Sequence, residues 1–276
     1  MLACTIEGVL RSRIVLRRDG ITVADVACRH AAGRGRVAER SSSHHLVFVR
    51  RGCFVRRVDG VGALLDPTLA YCVNPGAEQH VDHPHDHGDD CTSLTLEAPL
   101  VASLWGGDPA LPSGPLPTSP AIDLEHRLLL AAGRRGADPH ELYEQALTLV
   151  ARALEHSDPR RVAAGRPATA RARGALADGA REALAAEPGR SLPELARGLA
   201  VSPHHLSRAY HAVTGETISR QRMRLRARNA LERLAGGERN LARLAAEVGF
   251  ADQSHLCRVL RQETGRTPAA LRHALG

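Results

Sequence analysis

SLPELARGLAVSPHHLSRAYHAVTGET (191–217) and NLARLAAEVGFADQSHLCRVLRQETGRT (240–267) are one unit written twice. Leu192, Leu195, Ala196 and Leu199 match Leu241, Leu244, Ala245 and Val248 at a constant offset of 49. One extra residue in the second turn makes the offset 50, at which Leu206, Arg208, Thr214 and Gly215 match Leu256, Arg258, Thr264 and Gly265. A slip inside a turn changes loop length and leaves both helices in register. Each copy therefore predicts a short helix, a tight turn (AVSP, GFAD) and a second helix. Ser191 with Glu194 forms a capping box, Asn240 is the N-cap candidate of the second copy, and Gly215 and Gly265 close the second helices.

The second helix of each copy divides by its wheel. Leu206, Ala209, Tyr210 and Val213 share one face, as do Leu256, Val259 and Leu260. The other face carries His204, Ser207, Arg208 and His211 in the first copy. The second copy carries Gln253, Ser254, Cys257, Arg258 and Arg261 there. These side chains are polar, hydrogen-bonding or small, and an arginine recurs at one register. A helix-turn-helix lays such a face in the major groove of double-stranded DNA. Arginine can pair bidentately with guanine O6 and N7, while Ser or His can bond a base edge or a phosphate. Two helical hairpins with merely solvated outer faces are the alternative, and the repetition of the arginine register argues against it.

GFADQSHLCRVLRQETGRTPAALR (249–272) resembles the C-terminal signature of the AraC/XylS family of bacterial transcription regulators. Gly249, Phe250, Ser254, Leu256, Arg258, Leu260, Gly265, Thr267, Pro268 and Arg272 sit on that pattern. The resemblance covers roughly the last hundred residues. The chain departs from it with leucine at 256, 260 and 271, where the family favours aromatics, and with Cys257 where a polar residue is common.

Charge is distributed to suit that reading. Residues 1–110 hold 12 Arg against 13 acids, and residues 111–170 hold 7 of each. Residues 171–276 hold 18 Arg against 10 acids, so the whole-chain excess of +7 lies with the repeats. This is the electrostatic footprint of a nucleic-acid binder. Every basic side chain is Arg and none is Lys. No apolar run of about 18 residues and no basic-then-apolar N-terminus occur, so a cytoplasmic protein without a membrane partner is expected. The six cysteines lack paired spacing, which predicts reduced thiols.

The expected fold class is α+β and multidomain. Residues 1–110 read as a β regulatory domain: LVFVRR (46–51), CFVRRV (53–58), ALLDP, AYCV and TSLTLE are short apolar, β-branched runs separated by Gly and Pro. The order HHLVFVRRGCFVRRVDG, YCVNPGAEQHVDHP, GDDC resembles the cupin-like barrel found before many such DNA-binding domains. Residues 111–157 read as a helical pair, 121–133 and 138–156, that packs on the barrel or pairs with a second copy of the chain. Residues 158–170 read as a linker. Residues 171–276 read as the all-α double helix-turn-helix domain. It opens with a helix over 172–186, and a long helix from the Thr217 cap through Leu234 is expected to join the two units. Arg220, Arg222, Arg224, Arg226 and Arg228 crowd the first half of that long helix and are candidates for phosphate contacts or a solvated basic face.

QHVDHPHDHGDDC (79–91) could bear chemistry. His83, His85 and His87 alternate and Cys91 follows, a donor set that suits zinc, copper or nickel. Pro84 disturbs a strand and no further Glu and His complete a cupin enzyme motif, so a polar loop with no metal and no cofactor is the expectation. A metal-responsive regulator built on these residues is the alternative, and a cupin enzyme fused to a DNA-binding domain is the more distant one. No phosphate loop or nucleophile elbow occurs, so no catalytic residue is expected. The resemblance implies a sequence-specific regulator, with activation the commoner role, reading two successive major grooves. RNA polymerase, an unidentified small-molecule effector and a second copy of the chain are the remaining candidate partners.

Overall fold

HHLVFVRR is apolar without alternation, as a strand must be when both its faces are covered. It forms β5 (His44–Arg51), in which all but the last residue are buried. A computed structural model of the chain describes residues 10–29, 33–34, 38–84, 88–104, 110–155 and 167–276. Around β5 lie β1 (Leu10–Arg18), β2 (Ile21–Cys28), β8 (Leu69–Val73), β10 (Asp89–Leu96) and β11 (Pro115–Pro117), in the order β1-β2-β10-β5-β8-β11. A second sheet runs β3 (Gly33–Arg34), β9 (Glu78–His83), β6 (Phe54–Val58), β7 (Val61–Leu65), with β4 (Glu39–Arg40) also on β9. Among the described residues all the strand pairs are antiparallel.

Successive side chains of a strand point to opposite faces. Val47, Val49, Tyr71, Val73 and Cys91 of the first sheet therefore cluster with Phe54 and Leu65 of the second. Leu46, Phe48, Ala70, Cys72, Leu94 and Leu96 point the other way, toward helices. The N-terminal part is thus a two-sheet β-domain with helices on one outer face. Burying a Leu or Phe side chain fully contributes roughly 1.5–3 kcal/mol, which makes this double-sided sheet the principal core.

The helices on that face are α1 (Ala98–Leu104), α2 (Pro120–Arg134) and α3 (Pro139–Glu155). Ser119 caps α2, accepting a hydrogen bond from the Ile122 amide, and Pro120 occupies its first turn. Ile122, Leu129 and Leu130 of α2, with Leu142, Leu149 and Val150 of α3, pack on Leu16, Ile21 and Val23. The pair therefore covers its own sheet.

Six further helices complete the chain after α4 (Pro167–Ala186): α5 (Leu192–Gly198), α6 (Pro203–Thr214), α7 (Ile218–Ala235), α8 (Leu241–Val248), α9 (Gln253–Thr264) and α10 (Pro268–Leu275). The α4 helix begins before residue 172, so the last residues of the segment expected as linker are helical. Residues 158–166 of that segment lie outside the described residues. The capping box at Ser191 and the caps at Thr217 and Asn240 form as the sequence predicts.

Among the described residues the thiols of Cys28, Cys53, Cys72, Cys91 and Cys257 are free. Burial pushes the Cys72 thiol up to about 12. No described helix is long and apolar enough to cross a membrane.

Candidate nucleic-acid interface

Each repeat folds as its spacing requires. In the first turn Ala200 takes φ 54°, and in the second Gly249 takes φ 85°, so both turns need one left-handed residue. The amide after it closes the turn in each copy: Val201 donates to the Ala196 carbonyl at 3.0 Å, and Phe250 to that of Ala245 at 2.8 Å. Ser202 and Asp252 then cap α6 and α9, accepting from the amides of His205 and His255 at 3.2 and 2.7 Å. The residue that changes the offset is Ala251, which stands between the closed turn and the second cap. Gly215 and Gly265, at φ 72° and 70°, end the two helices.

Leu206, Ala209 and Tyr210 of α6 and Leu256, Val259 and Leu260 of α9 are buried. Val213, expected with the first set, is 42% exposed, because it stands on the last turn of α6 outside the buried cluster. On the outer faces His204, Arg208, His211, Gln253, Ser254, Arg258 and Arg261 are exposed, and Ser207 and Cys257 are half-buried. A shallow groove bordered by Cys257, Arg258, Arg261, Gln262, Thr267 and Pro268 runs beside the outer face of α9.

The long α7 serves both units. Its Ile218 and Leu225 enter the first core with Ala177, Ala180 and Leu184 of α4. Its Ala227, Ala230, Leu231 and Leu234 enter the second core with Leu244, Phe250, Leu256 and Leu271. Leu124 of α2 also belongs to that second core. So α2 lies between the β-domain and the second repeat.

The arginines of α7 do not all face solvent, which corrects the sequence expectation. Arg224 and Arg228 are buried, and both donate to the Thr118 carbonyl. Arg224 also forms two hydrogen bonds with the Glu216 carboxylate, at 2.8 Å each. Arg228 lies 3.4 Å from Asp123 of α2. Arg222 and Arg226 donate to the backbone carbonyls of Arg190 and Pro188, at 3.0 and 3.2 Å. Arg220 is exposed, with Glu263 3.8 Å away. A polar stripe at helical spacing reads as a wet face unless long-range partners cover it, and here they do.

Two buried charge clusters join the β-domain to the helical repeats, and sequence reasoning missed both. In the first, Asp66, fully buried after β7, accepts from Arg181 of α4 at 2.8 Å and from Gln221 of α7 at 3.3 Å. It also accepts from the Thr68 amide at 2.8 Å and the Thr68 hydroxyl at 2.6 Å. Burial would raise this carboxyl, but Arg181 and the two Thr68 hydrogen bonds together outweigh it and hold it below its ordinary value. In the second, Asp123 lies among Arg127, Arg228 and His126. Burial opposes its charge, and the two guanidiniums overcome it and depress the carboxyl strongly. Arg127 reaches Glu232 of α7 and donates to the Arg50 carbonyl of β5 at 3.1 Å.

His126 is stacked on Phe48 with ring centroids 4.8 Å apart, between Thr92 at 3.1 Å and Asp123 at 3.3 Å. Burial brings it down to about 4, against the pull of Asp123. Burial likewise brings His45 down to about 4. Both folded values lie below the unfolded value of 6.5, so the unfolded chain binds protons first as pH falls. The stability these groups confer is present above 6.5 and is lost as pH falls toward 4. We expect acid to remove on the order of 3 kcal/mol per histidine, since one unit corresponds to about 1.4 kcal/mol. Thermal midpoints taken between pH 7 and pH 4.5 should fall steadily, and a flat profile would contradict neutral burial.

Of the histidine run, His83 ends β9 and is buried, not part of a solvated loop. It faces Asp89 at 2.6 Å and hydrogen-bonds Cys28. Cys91 is also buried, and His85 and His87 lie outside the described residues.

Residues 195–274 match a family model described as a helix-turn-helix domain. No curated protein matches the chain. Among solved structures, the chain is similar to ToxT from Vibrio cholerae O395, at 9% identity and a TM-score of 0.37, over 97% of this chain and 98% of that one. It is also similar to an RmlC-like cupin from Shewanella frigidimarina NCIMB 400, at 18% identity and a TM-score of 0.29, over 34% of this chain and 80% of that one.

Proposed function

We propose, from a chain whose C-terminal part is a helix-turn-helix domain that binds double-stranded DNA, that the protein is a sequence-specific transcription regulator governed by its β-domain. The observation that carries this reading is the pair of outer faces on α6 and α9. They are open at equivalent registers, and each has an arginine, Arg208 or Arg258, at the same place. The connecting α7 has 18 residues and is therefore about 27 Å long at a rise of 1.5 Å per residue. That length suits two recognition helices entering successive major grooves on one side of the duplex. His204, Ser207 and His211 on α6, with Gln253, Ser254, Cys257 and Arg261 on α9, are the remaining groove-facing candidates. The arginine surplus supplies affinity through phosphates and makes binding salt-sensitive.

Control by the β-domain is supported by the buried contacts of Asp66 and Asp123 with α4 and α7. An effector that alters the β-domain acts on the helix that spaces the two reading heads. The role of activator follows from the family resemblance. An enzyme is disfavoured because the domain matched is a DNA-binding one.

Replacing Arg258 with alanine tests the reading. If the guanidinium reads a base, binding to a selected duplex weakens by about 1–3 kcal/mol and preference relaxes at one position. If it holds a phosphate, affinity falls equally for all sequences and the salt slope drops by about one. Equal affinity of the unaltered protein for random and selected duplexes would overturn sequence-specific regulation.

A further inference from the structure

The end of the β-domain where β2, β9 and β10 meet gathers donors that the DNA reading does not use. In the ladder between β2 and β10, Cys28 lies directly opposite Asp89. Side chains two apart on a strand share a face, so Cys91 projects to the same side as Asp89. That side is the interior between the two sheets, where Cys91 packs with Val49 and Phe54. His83, at the end of β9, enters the same interior from the second sheet. Gly88, at φ 60°, makes the meeting possible: a Cβ there would stand 2.0 Å from the Cys28 carbonyl oxygen. Only a glycine lets the turn into β10 lie on the end of β2.

The result is a buried trio, Cys28, His83 and Asp89, whose ligand atoms all lie within 4.8 Å of one another. Cys91 Sγ is 3.2 Å from Asp89 Oδ2. We propose that Cys28, His83 and Asp89 form a three-donor binding site for a divalent cation of the zinc class, with a fourth position left to water. Tetrahedral zinc with sulfur at ~2.3 Å and nitrogen or oxygen at ~2.0–2.2 Å sets its ligands about 3.5 Å apart. The trio reaches that spacing with side-chain shifts of about an ångström, with no change of strand register. Sulfur and imidazole donors select zinc, cobalt or copper over magnesium and calcium.

Charge fits as well. One thiolate and one carboxylate around a dication leave no net charge, and arginines flank the site. Arg29 donates to the carbonyls of Cys28 and Asp89 at 3.0 and 3.3 Å and pairs with Asp90 at 2.7 Å. Arg50 donates to the Cys91 carbonyl at 3.3 Å. Binding displaces the Cys28 thiol proton to solvent, so the reaction is metal uptake with proton release and no redox change. The ion would tie β9 of one sheet to β2 and β10 of the other and close that end of the domain.

The test uses the full chain, untagged, stripped with chelator under reducing conditions and titrated with Co2+ and then Zn2+. One Co2+ per chain, with a thiolate-to-cobalt charge-transfer band and tetrahedral visible bands that Zn2+ abolishes, is the expected result. Cys28→Ser and His83→Gln should each weaken binding by at least tenfold and remove or shift the band, whereas His80→Ala leaves both unchanged. Zn2+ should raise the thermal midpoint of the unaltered protein and not that of Cys28→Ser. Circular dichroism of each variant separates lost ligation from lost fold, and Asp89→Asn provides a near-isosteric second removal. No stoichiometric metal, or a thiolate band that survives loss of both Cys28 and His83, would overturn the site. The readout is metal and not DNA, so its failure leaves the regulator reading intact.

Discussion

Replacing Asp123 with alanine is expected to destabilise the folded chain by roughly 3–5 kcal/mol, the cost of leaving buried charge without its partner. The Asp123 carboxylate is the acceptor that faces Arg127, Arg228 and His126 together. The side chain of Arg228 is 2% exposed, and its Nε makes no hydrogen bond even with Asp123 in place. Without the carboxylate, Arg228 must either stay buried and uncompensated or carry α7 away from α2. Denaturant unfolding followed by circular dichroism measures the loss. Arg228→Met provides the contrast: it removes a charge, keeps an apolar volume, and leaves Asp123 paired with Arg127, so it should cost far less. A loss below about 1 kcal/mol for Asp123→Ala would mean that the cluster is hydrated and does not hold the two parts together.

The second large effect is expected at Asp66. Asp66→Ala strips Arg181 of its carboxylate, and that arginine side chain is only 14% exposed. It also removes the acceptor of the Thr68 amide, the Thr68 hydroxyl and the Gln221 amide. A loss of again roughly 3–5 kcal/mol follows from the unpaired buried charge. Its location should differ from that of Asp123→Ala. Hydrogen exchange should quicken first in α4 and the start of α7, which carry the first repeat. The double variant Asp66→Ala, Arg181→Leu should recover part of the loss, because the apolar side chain needs no counter-charge. Equal damage in the single and double variants would show that the two side chains are not coupled.

Both clusters explain why the arginines of α7 could not be sorted from the sequence. On α7, Arg220, Arg224 and Arg228 fall on one side and Arg222 and Arg226 on the opposite side, and the spacing leaves open which of them is dry. Which of them is dry depends on Thr118 and Asp123, about a hundred positions earlier in the chain. The same holds for the His83 run. Its pattern of His, Pro and Asp reads as a solvated loop. The alternation of β9 turns His83 inward, and the register of β10 on β2 with the glycine at 88 brings Asp89 and a cysteine more than fifty residues away to meet it. Val213 misled for a local reason: its spacing suits the core, but it stands on the last turn of α6, outside the packed cluster.

What the sequence alone determined lies within one or two turns of chain. The repeated helix-turn-helix, its caps at Ser191, Thr217 and Asn240, its glycine ends and the open faces of α6 and α9 all follow from helical periodicity and turn chemistry. Those are short-range steric and hydrogen-bonding preferences. The doubly buried β5 was legible as a strand for the same reason. Only the tertiary structure decided that α2 packs between the sheet and the second repeat, that Arg224 and Arg228 are dry and Arg181 largely covered, and that Cys28 meets His83 and Asp89. Burial of a charge or a ligand depends on partners brought from across the chain, and no local pattern carries their identity.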